Sequence, residues 1–190
     1  MKPIALALIT IICLCLAPLA ASAQTDRFGK PDTVYAEVSY IGEFTAAVTI
    51  SYTNDETIVG LQIPFRMDAG LNKIVADSAV YTGGRIAAAK WAYTGFRPDT
   101  AIQCVMLGMI ANLGPTDNKL TPGSGRIATV YISSLEDKKI EKLIVDSTTL
   151  AHGGGMMAIA DMLQGNPPDS IRMPMSERQI KPVWVFRNAK

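Results

Sequence analysis

The stretch VGLQIPFRMD, Val59 to Asp68, alternates apolar and polar side chains almost without a fault. A two-residue period sends successive side chains to opposite sides of a pleat, so a chain that keeps it folds into strands with one dry face. Here Val59, Leu61, Ile63, Phe65 and Met67 form the apolar face, while Gly60, Gln62, Pro64 and Arg66 look outward. Pro64 constrains the strand further, because proline has no N–H to give to a ladder. A proline inside a strand is tolerated where the missing donor would have met solvent or a bulge. The sequence therefore predicts that this strand lies at an edge or kinks at Pro64, a break that also blunts an edge against another chain.

The same period runs through the rest of the chain. Val34, Ala36, Val38 and Tyr40 share one face, and Ala46, Val48, Ile50 and Tyr52 repeat the pattern with Thr45, Thr49, Ser51 and Thr53 opposite. NKIVADSAVY, IAAAKWAYT, AIQCVMLGMI, RIATVYIS, EKLIVDSTTL and IKPVWVF follow as short segments bounded by turn residues. Ile102 to Ile110 is apolar on both faces, which suits a central strand. MMAIADML fits either a short helix or a strand, and the Gly and Pro residues close on both sides favour the strand. Between these lie TNDE, TGGR, FRPD, GPTDNKLTPGSG and QGNPPD, rich in residues that supply positive φ or a preset turn. About nine strands at this spacing predict an all-β fold, an antiparallel β-sandwich wound as a jelly roll.

The chain opens with Lys2, an apolar run from Ile4 to Leu19 and then Ala21-Ser22-Ala23, the order of a secretory signal peptide over residues 1–23 cleaved before Gln24. The run is short for a membrane span of about 20 residues, and no basic cluster follows it. Cys13 and Cys15 lie inside the run and away from the cleavage point, so a lipid anchor is not indicated. The protein is expected to be secreted, periplasmic or on the cell surface.

The 18 Lys and Arg residues include Lys2, so the remaining chain carries 17 basic against 17 acidic side chains. That balance gives no electrostatic case for nucleic acid or an anionic membrane. Of the 3 cysteines only Cys104 survives cleavage, which excludes an internal disulfide. Stability must come from a hydrophobic core. No linker or repeat divides residues 24–190, which read as one domain.

Catalytic motifs are weak. HGGG, His152 to Gly155, matches the oxyanion loop of lipases and esterases, but no G-x-S-x-G accompanies it and PGSG around Ser124 lacks the nucleophile-elbow spacing. His152 is the only histidine, and a Gly-rich turn explains the motif. One His and one Cys far apart do not make a zinc site. Asp55, Glu56, Asp68 and Asp117 are oxygen donors near turns that calcium on a sandwich loop would use, although turn capping explains them equally. No cofactor is otherwise implied. Cys104, in an apolar strand, reads as a buried thiol. Trp91, Tyr93 and Phe96 in KWAYTGF are the candidate ligand-binding residues, with Trp91 and Tyr93 on one strand face. Exposed, two such rings would stack on sugars or take a partner's apolar anchor; buried, they fill the core. Trp184, flanked by Val183, Val185 and Phe186, reads as core.

The arrangement YTNDETIVGLQIPFRMDAGLNKIVADS resembles the early strands of cohesin-like domains, secreted β-sandwiches related to the cellulosome cohesins and to one class of carbohydrate-binding module. A strand ending near an N-D turn is followed by a Gly-hydrophobic-polar-hydrophobic strand closing on Asp, here Gly60 to Asp68. LTPGSGRIATVYIS is similar to the family's turn-then-strand. The likeness runs from about Thr33 to Val185 as a pattern of strands and turns. It implies a binding module and not an enzyme, since cohesins hold a dockerin on one sheet face and related modules bind polysaccharide. It assigns no recognition residue, and with no D-x-[DN]-x-[DN]-G calcium repeat the chain would be the receptor half of such a pair if it belongs to one. Three readings are therefore carried: a cohesin-like module for a dockerin-type or surface-assembly protein, a carbohydrate-binding module using exposed aromatics, and, third, a hydrolase. An exposed planar row of aromatics would favour glycan; a flat apolar sheet face with a polar rim would favour protein.

Overall fold

Strand-forming periodicity carries most of the chain into two sheets packed face to face. The computed structural model describes residues 26, 28–111, 118–150, 154–161 and 174–187. In chain order the elements are β1 (Thr33–Tyr40), β2 (Thr45–Asn54), β3 (Ile58–Asp68), β4 (Ile74–Val80), helix α1 (Arg85–Ala88), β5 (Tyr93–Asp99), β6 (Cys104–Ile110), β7 (Gly123–Ser134), β8 (Ile144–Ser147), β9 (Met157–Ala160), a 3-10 turn (Met175–Glu177), β10 (Gln179–Ile180) and β11 (Val183–Arg187). The first sheet runs β11-β1-β2-β7-β4; the second runs β10-β9-β3-β6-β5, with β8 also paired to β3. The chain crosses between sheets after β2, β3, β4, β6, β7 and β10, which is the winding of a jelly roll. All described pairs are antiparallel except β1 with β11. Among the described residues no helix is long and apolar enough to cross a membrane.

The core follows from the alternation. Val34, Ala36, Val38, Ala46, Val48, Ile50 and Tyr52 face inward from the first sheet, opposite Leu61, Ile63, Phe65, Met67, Val105, Leu107 and Met109 from the second. A bulge between Ile50 and Ser51 leaves Ile127 without a partner on β2, so Ile127 and Ala128 are both buried despite being adjacent. MMAIADML forms a strand, β9, and Ile102 to Ile110 supplies β6, which is central between β3 and β5 as its two apolar faces suggest. The described residues form eleven strands where the sequence predicts about nine, partly because IKPVWVF divides into β10 and β11 on either side of Lys181 and Pro182.

Pro64 does not mark an edge. β3 is an interior strand, paired to β6 from Gly60 through Arg66 on one side. On its other side β9 ends its pairing at Gln62 and β8 begins at Phe65, so among the described residues no strand lies opposite Pro64 there. Direction of the amides settles which side matters. Met67 N–H donates to the Gln103 carbonyl at 2.8 Å, toward β6, and amides two apart point the same way. Those of Ile63 and Phe65 therefore face β6, while a donor at residue 64 would face the gap between β9 and β8. Proline removes a hydrogen bond that has no acceptor strand to receive it. Pro64 is itself buried and Gln62 half-buried, so the outward row is less wet than its pattern implies.

IAAAKWAYT is not a strand. Arg85–Ala88 forms one helical turn, consistent with the helix preference of its alanines, and Lys90 stops it with φ 54°. Gly84 precedes the helix where a Cβ would lie 2.9 Å from the Arg126 carbonyl oxygen, so only glycine allows this close approach to β7. Arg85 then reaches back, donating from Nη1 to the Tyr52 carbonyl at 2.9 Å and Asn54 Oδ1 at 2.9 Å, and from Nη2 to the Thr121 carbonyl at 2.6 Å. The turn after Lys90 carries Trp91 into the core, at 8% exposure.

Ile63→Ala should destabilise the protein by about 2–5 kcal/mol, since a fully buried side chain leaves a cavity. Gln62→Ala should cost about 1 kcal/mol, through the bond that Gln62 Nε2 donates to the Gly155 carbonyl at 3.0 Å. Urea melts of the two variants check the difference; equal losses would contradict the interior placement of Ile63. In a Trp184→Phe chain the remaining fluorescence comes from Trp91, and iodide should quench it several-fold less than it quenches Trp184 in Trp91→Phe.

Candidate functional site

The two sheets differ in what they show to solvent. On the first, the outward positions of β1, β2 and β7 are mostly hydroxyl-bearing, Thr33, Ser39, Thr45, Thr49, Ser51, Thr53 and Ser133, with Tyr35, Ala47 and Tyr131 among them. Exposed valines stand on its edge strands, Val80 on β4 and Val183 and Val185 on β11.

The outward side of the second sheet is of another kind, and its rows follow from register. Tyr93 on β5 lies beside Ile110, Gly60 and Ile159; Gly95 lies beside Gly108, Gln62 and Met157; Arg97 lies beside Met106 and Pro64; and Asp99 lies beside Cys104, Arg66 and Asp146. Tyr93 is 58% exposed and Ile110 42%, while Met106, Met157 and Ile159 are half-buried. Glycines flatten the middle. A Cβ on Gly108 would meet nothing within 4 Å, whereas one on Gly95 would collide with the Tyr93 ring, which lies over it. The result is an apolar floor with an open site above Gly108, closed along one end by Arg97, Asp99, Arg66 and Asp146. Four strands about 4.8 Å apart and seven residues of about 3.4 Å rise give a patch of a few hundred Å², the size at which exposed apolar surface marks an interaction site.

Where β8 and β9 part, the chain between them leaves the sheet. A groove of about 970 Å³ occupies that region, lined by Gln62, Gly155, Met157, Ile180, Lys181 and Trp184 among others. Trp184 is half-buried against the core and stacks on Phe186, ring centroids 4.9 Å apart, rather than lying wholly inside. His152 and Asp117 lie outside the described residues.

The three aromatic candidates do not form a platform. Trp91 precedes β5 and is buried, Phe96 points into the sandwich, and Tyr93 alone stands on the outer face. Tyr93 and Phe96 are three apart on one strand, so the pleat sends them to opposite sides. The expected shared face of Trp91 and Tyr93 is lost because the helix, not a strand, carries the chain to Trp91. Cys104 is buried, as read from the sequence, and its thiol donates to the Ile102 carbonyl at 3.3 Å, with burial pushing its pKa up.

At one end of the sandwich, acidic side chains converge. Asp26 and Asp32 come from the segment before β1, Asp55 and Glu56 from the β2–β3 turn, and one oxygen from each lies within 4.8 Å of the others. The backbone is drawn in around them: Phe28 N–H donates to Asp26 Oδ1 at 2.9 Å, and Lys30 N–H to Asp55 Oδ2 at 2.8 Å. A side chain at Gly29 would run into the Asp55 carboxylate. Tyr52 donates its hydroxyl to Asp32 Oδ2. Burial pushes the Asp32 carboxyl up to about 6 and the Glu56 carboxyl up to about 9, with Asp55 and Asp32 beside Glu56 adding to its shift. Burial and Asp32 likewise raise the Tyr52 phenol. Asp55 is exposed, and the Lys30 amide holds it below the usual carboxylate range. Asp68, read with Asp55 and Glu56 as a turn oxygen, lies elsewhere and caps its own turn by accepting from Gly70 N–H at 2.8 Å. Asp26 and Asp32 were not legible as partners, being separated from Asp55 by a whole hairpin.

No protein-family model matches the sequence, and no curated protein matches it. Solved structures do. The third cohesin of ScaC from Acetivibrio cellulolyticus, solved in complex with the ScaB dockerin, is similar at 14% identity and TM-score 0.54 over 83% of this chain and 94% of its own. The OlpC cohesin from Clostridium thermocellum, also solved in a cohesin-dockerin complex, is similar at 9% identity and TM-score 0.52 over 83% of this chain and 90% of its own. The β-sandwich described above is thus a cohesin-like fold.

Proposed function

We propose that the protein is a non-catalytic binding module that holds a dockerin-type protein on the outer face of the β3 sheet. The observation that carries this reading is the inequality of the two outer faces. One carries mostly hydroxyls across its middle, with exposed valines on its edge strands; the other is apolar across its middle and rimmed by charge, which is the anatomy of a protein interface and offers no row of aromatics for a sugar chain. The cohesins it resembles were solved with dockerins bound, which supports the choice of partner class. Gly108 leaves room for an apolar anchor, with Met106, Ile110 and Tyr93 as its walls, and Arg66, Arg97, Asp99 and Asp146 supply the polar contacts that fix orientation.

Calorimetric titration of the protein against a panel of dockerin modules tests this. Met106→Glu and Ile110→Glu should each weaken binding by about 100-fold, a loss typical of interface anchors, while Ser51→Glu on the other sheet should leave it unchanged. Failure of every module to bind a folded protein, or binding of a polysaccharide that is lost in Tyr93→Ala, would overturn the reading.

Export belongs to the same proposal: residues 1–23 act as a secretory signal, so the module meets its partner outside the cytoplasm. The intact mass of exported protein should correspond to a chain beginning at Gln24. A full-length chain recovered from membranes would contradict it.

A further inference from the structure

Four carboxyl groups within 4.8 Å of one another cannot all ionise unless a cation joins them. No described Lys or Arg makes an ion pair with any of the four; the nearby Arg85 spends its guanidinium on the carbonyls of Tyr52, Thr121 and Gly123 and on Asn54 Oδ1. A second observation stands apart from the clustering. Glu56 is only 7% exposed, yet no donor from outside the acidic group reaches either of its carboxyl oxygens, which are turned toward the Asp32 and Asp55 carboxyls. Asp32, at 1% exposure, leaves Oδ1 unpartnered, and Asp26 leaves Oδ2 so. Buried carboxylate oxygens are ordinarily satisfied, and an oxygen left without a donor is costly unless it meets a cation.

We propose that Asp26, Asp32, Asp55 and Glu56 form a calcium site that fastens the segment before β1 to the β2–β3 turn. The donor set is oxygen only, which suits a hard cation and excludes soft-metal chemistry. Its size also fits. Ligands on opposite sides of a calcium ion held at about 2.4 Å can stand up to about 4.8 Å apart, and the four oxygens lie within that limit; magnesium usually keeps several waters and is seldom held by an all-protein carboxylate set. Asp55 is exposed and gives the ion an entry from solvent, while Glu56 and Asp32 close the inner side. The phenol of Tyr52, hydrogen-bonded to Asp32, places an aromatic ring beside the ion. This assignment does not depend on what the protein binds with its sheet face.

The test uses the purified protein stripped with EDTA. Terbium, a calcium substitute, should give tyrosine-sensitised emission on binding, and added calcium chloride should quench that emission by displacement. Saturating calcium should raise the melting temperature by about 5–10 °C, the range expected for a ligand present at about a hundred times its dissociation constant. Glu56→Gln and Asp55→Asn keep the shape of each side chain and remove its charge; both should lose most of the emission and most of the shift. Asp68→Asn, an exposed turn acid outside the group, should retain both. Absence of any calcium-dependent shift and of terbium emission would overturn the proposal. So would a shift of equal size in Glu56→Gln and Asp55→Asn, since the cation would then be acting elsewhere.

Discussion

Everything in the second sheet hangs on how β3 is held. One side is paired to β6 along its middle; the other is shared by two short strands, β9 up to Gln62 and β8 from Phe65. Pro64 stands at the junction. A single long strand laid along that side would have met a position with no donor, and an unpaired carbonyl inside a sheet is expensive. Dividing the partner into two avoids the loss, because the chain leaves the sheet after Ser147 and returns at Met157. The excursion creates the groove beside Gln62, and the Gln62 amide bonded to the Gly155 carbonyl ties it back to the sheet.

The same strand also decides the character of the outer surface. Gly60 and Pro64 present little bulk and the Gln62 amide is drawn aside to the Gly155 carbonyl, so β3 is low and the side chains of Met106 and Ile110 on β6 and Met157 and Ile159 on β9 stand around it. On the first sheet the outward positions of the middle strand β2 are Thr and Ser except for Ala47, and their hydroxyls keep water. Methionine and isoleucine on a flat sheet cannot do so. Their exposure is a standing cost in solution that a partner would remove.

Half of this architecture could be read from the residues. The inward faces of β1, β2 and β3 follow from a period of two, and the apolar character of both faces of Ile102 to Ile110 identified an interior strand without any knowledge of its neighbours. What failed was information that lies between segments. Pro64 signalled a missing donor, but whether solvent or a gap received that absence depends on where β8 and β9 end, far along the chain. Alanines in IAAAKWAYT are compatible with either period, and the close approach of Gly84 to Arg126 and the left-handed Lys90 settled the helix. The outer floor is a register property: Gly95, Gly108, Met106 and Tyr93 have no common motif, and only pairing of β5, β6 and β3 sets them side by side. Asp55 and Glu56 were visible as turn oxygens. Their partners Asp26 and Asp32 were not, since the β1–β2 hairpin that brings them together separates them in sequence.

The acidic end and the sheet face are linked through the start of β3. Ile58 exchanges both backbone hydrogen bonds with Leu120, at 2.9 Å each, and the Thr57 carbonyl accepts from Asp161 N–H at 2.7 Å. Two residues earlier the turn enters the carboxylate group, and two residues later Gly60 begins the outer floor. On the other side of the group, the Asp32 carbonyl accepts from Val183 N–H at 2.8 Å, where β11 begins its parallel pairing with β1. Crowding of the four acids, which holds Glu56 and Asp32 back from ionising, therefore falls at the points where β1, β3 and β11 start, and a cation among them would act on all three together. That load falls at the end of the sandwich and not on the floor around Gly108. A partner seated on the floor would touch none of the four acids and would feel a cation only through the firmness with which β3 is anchored.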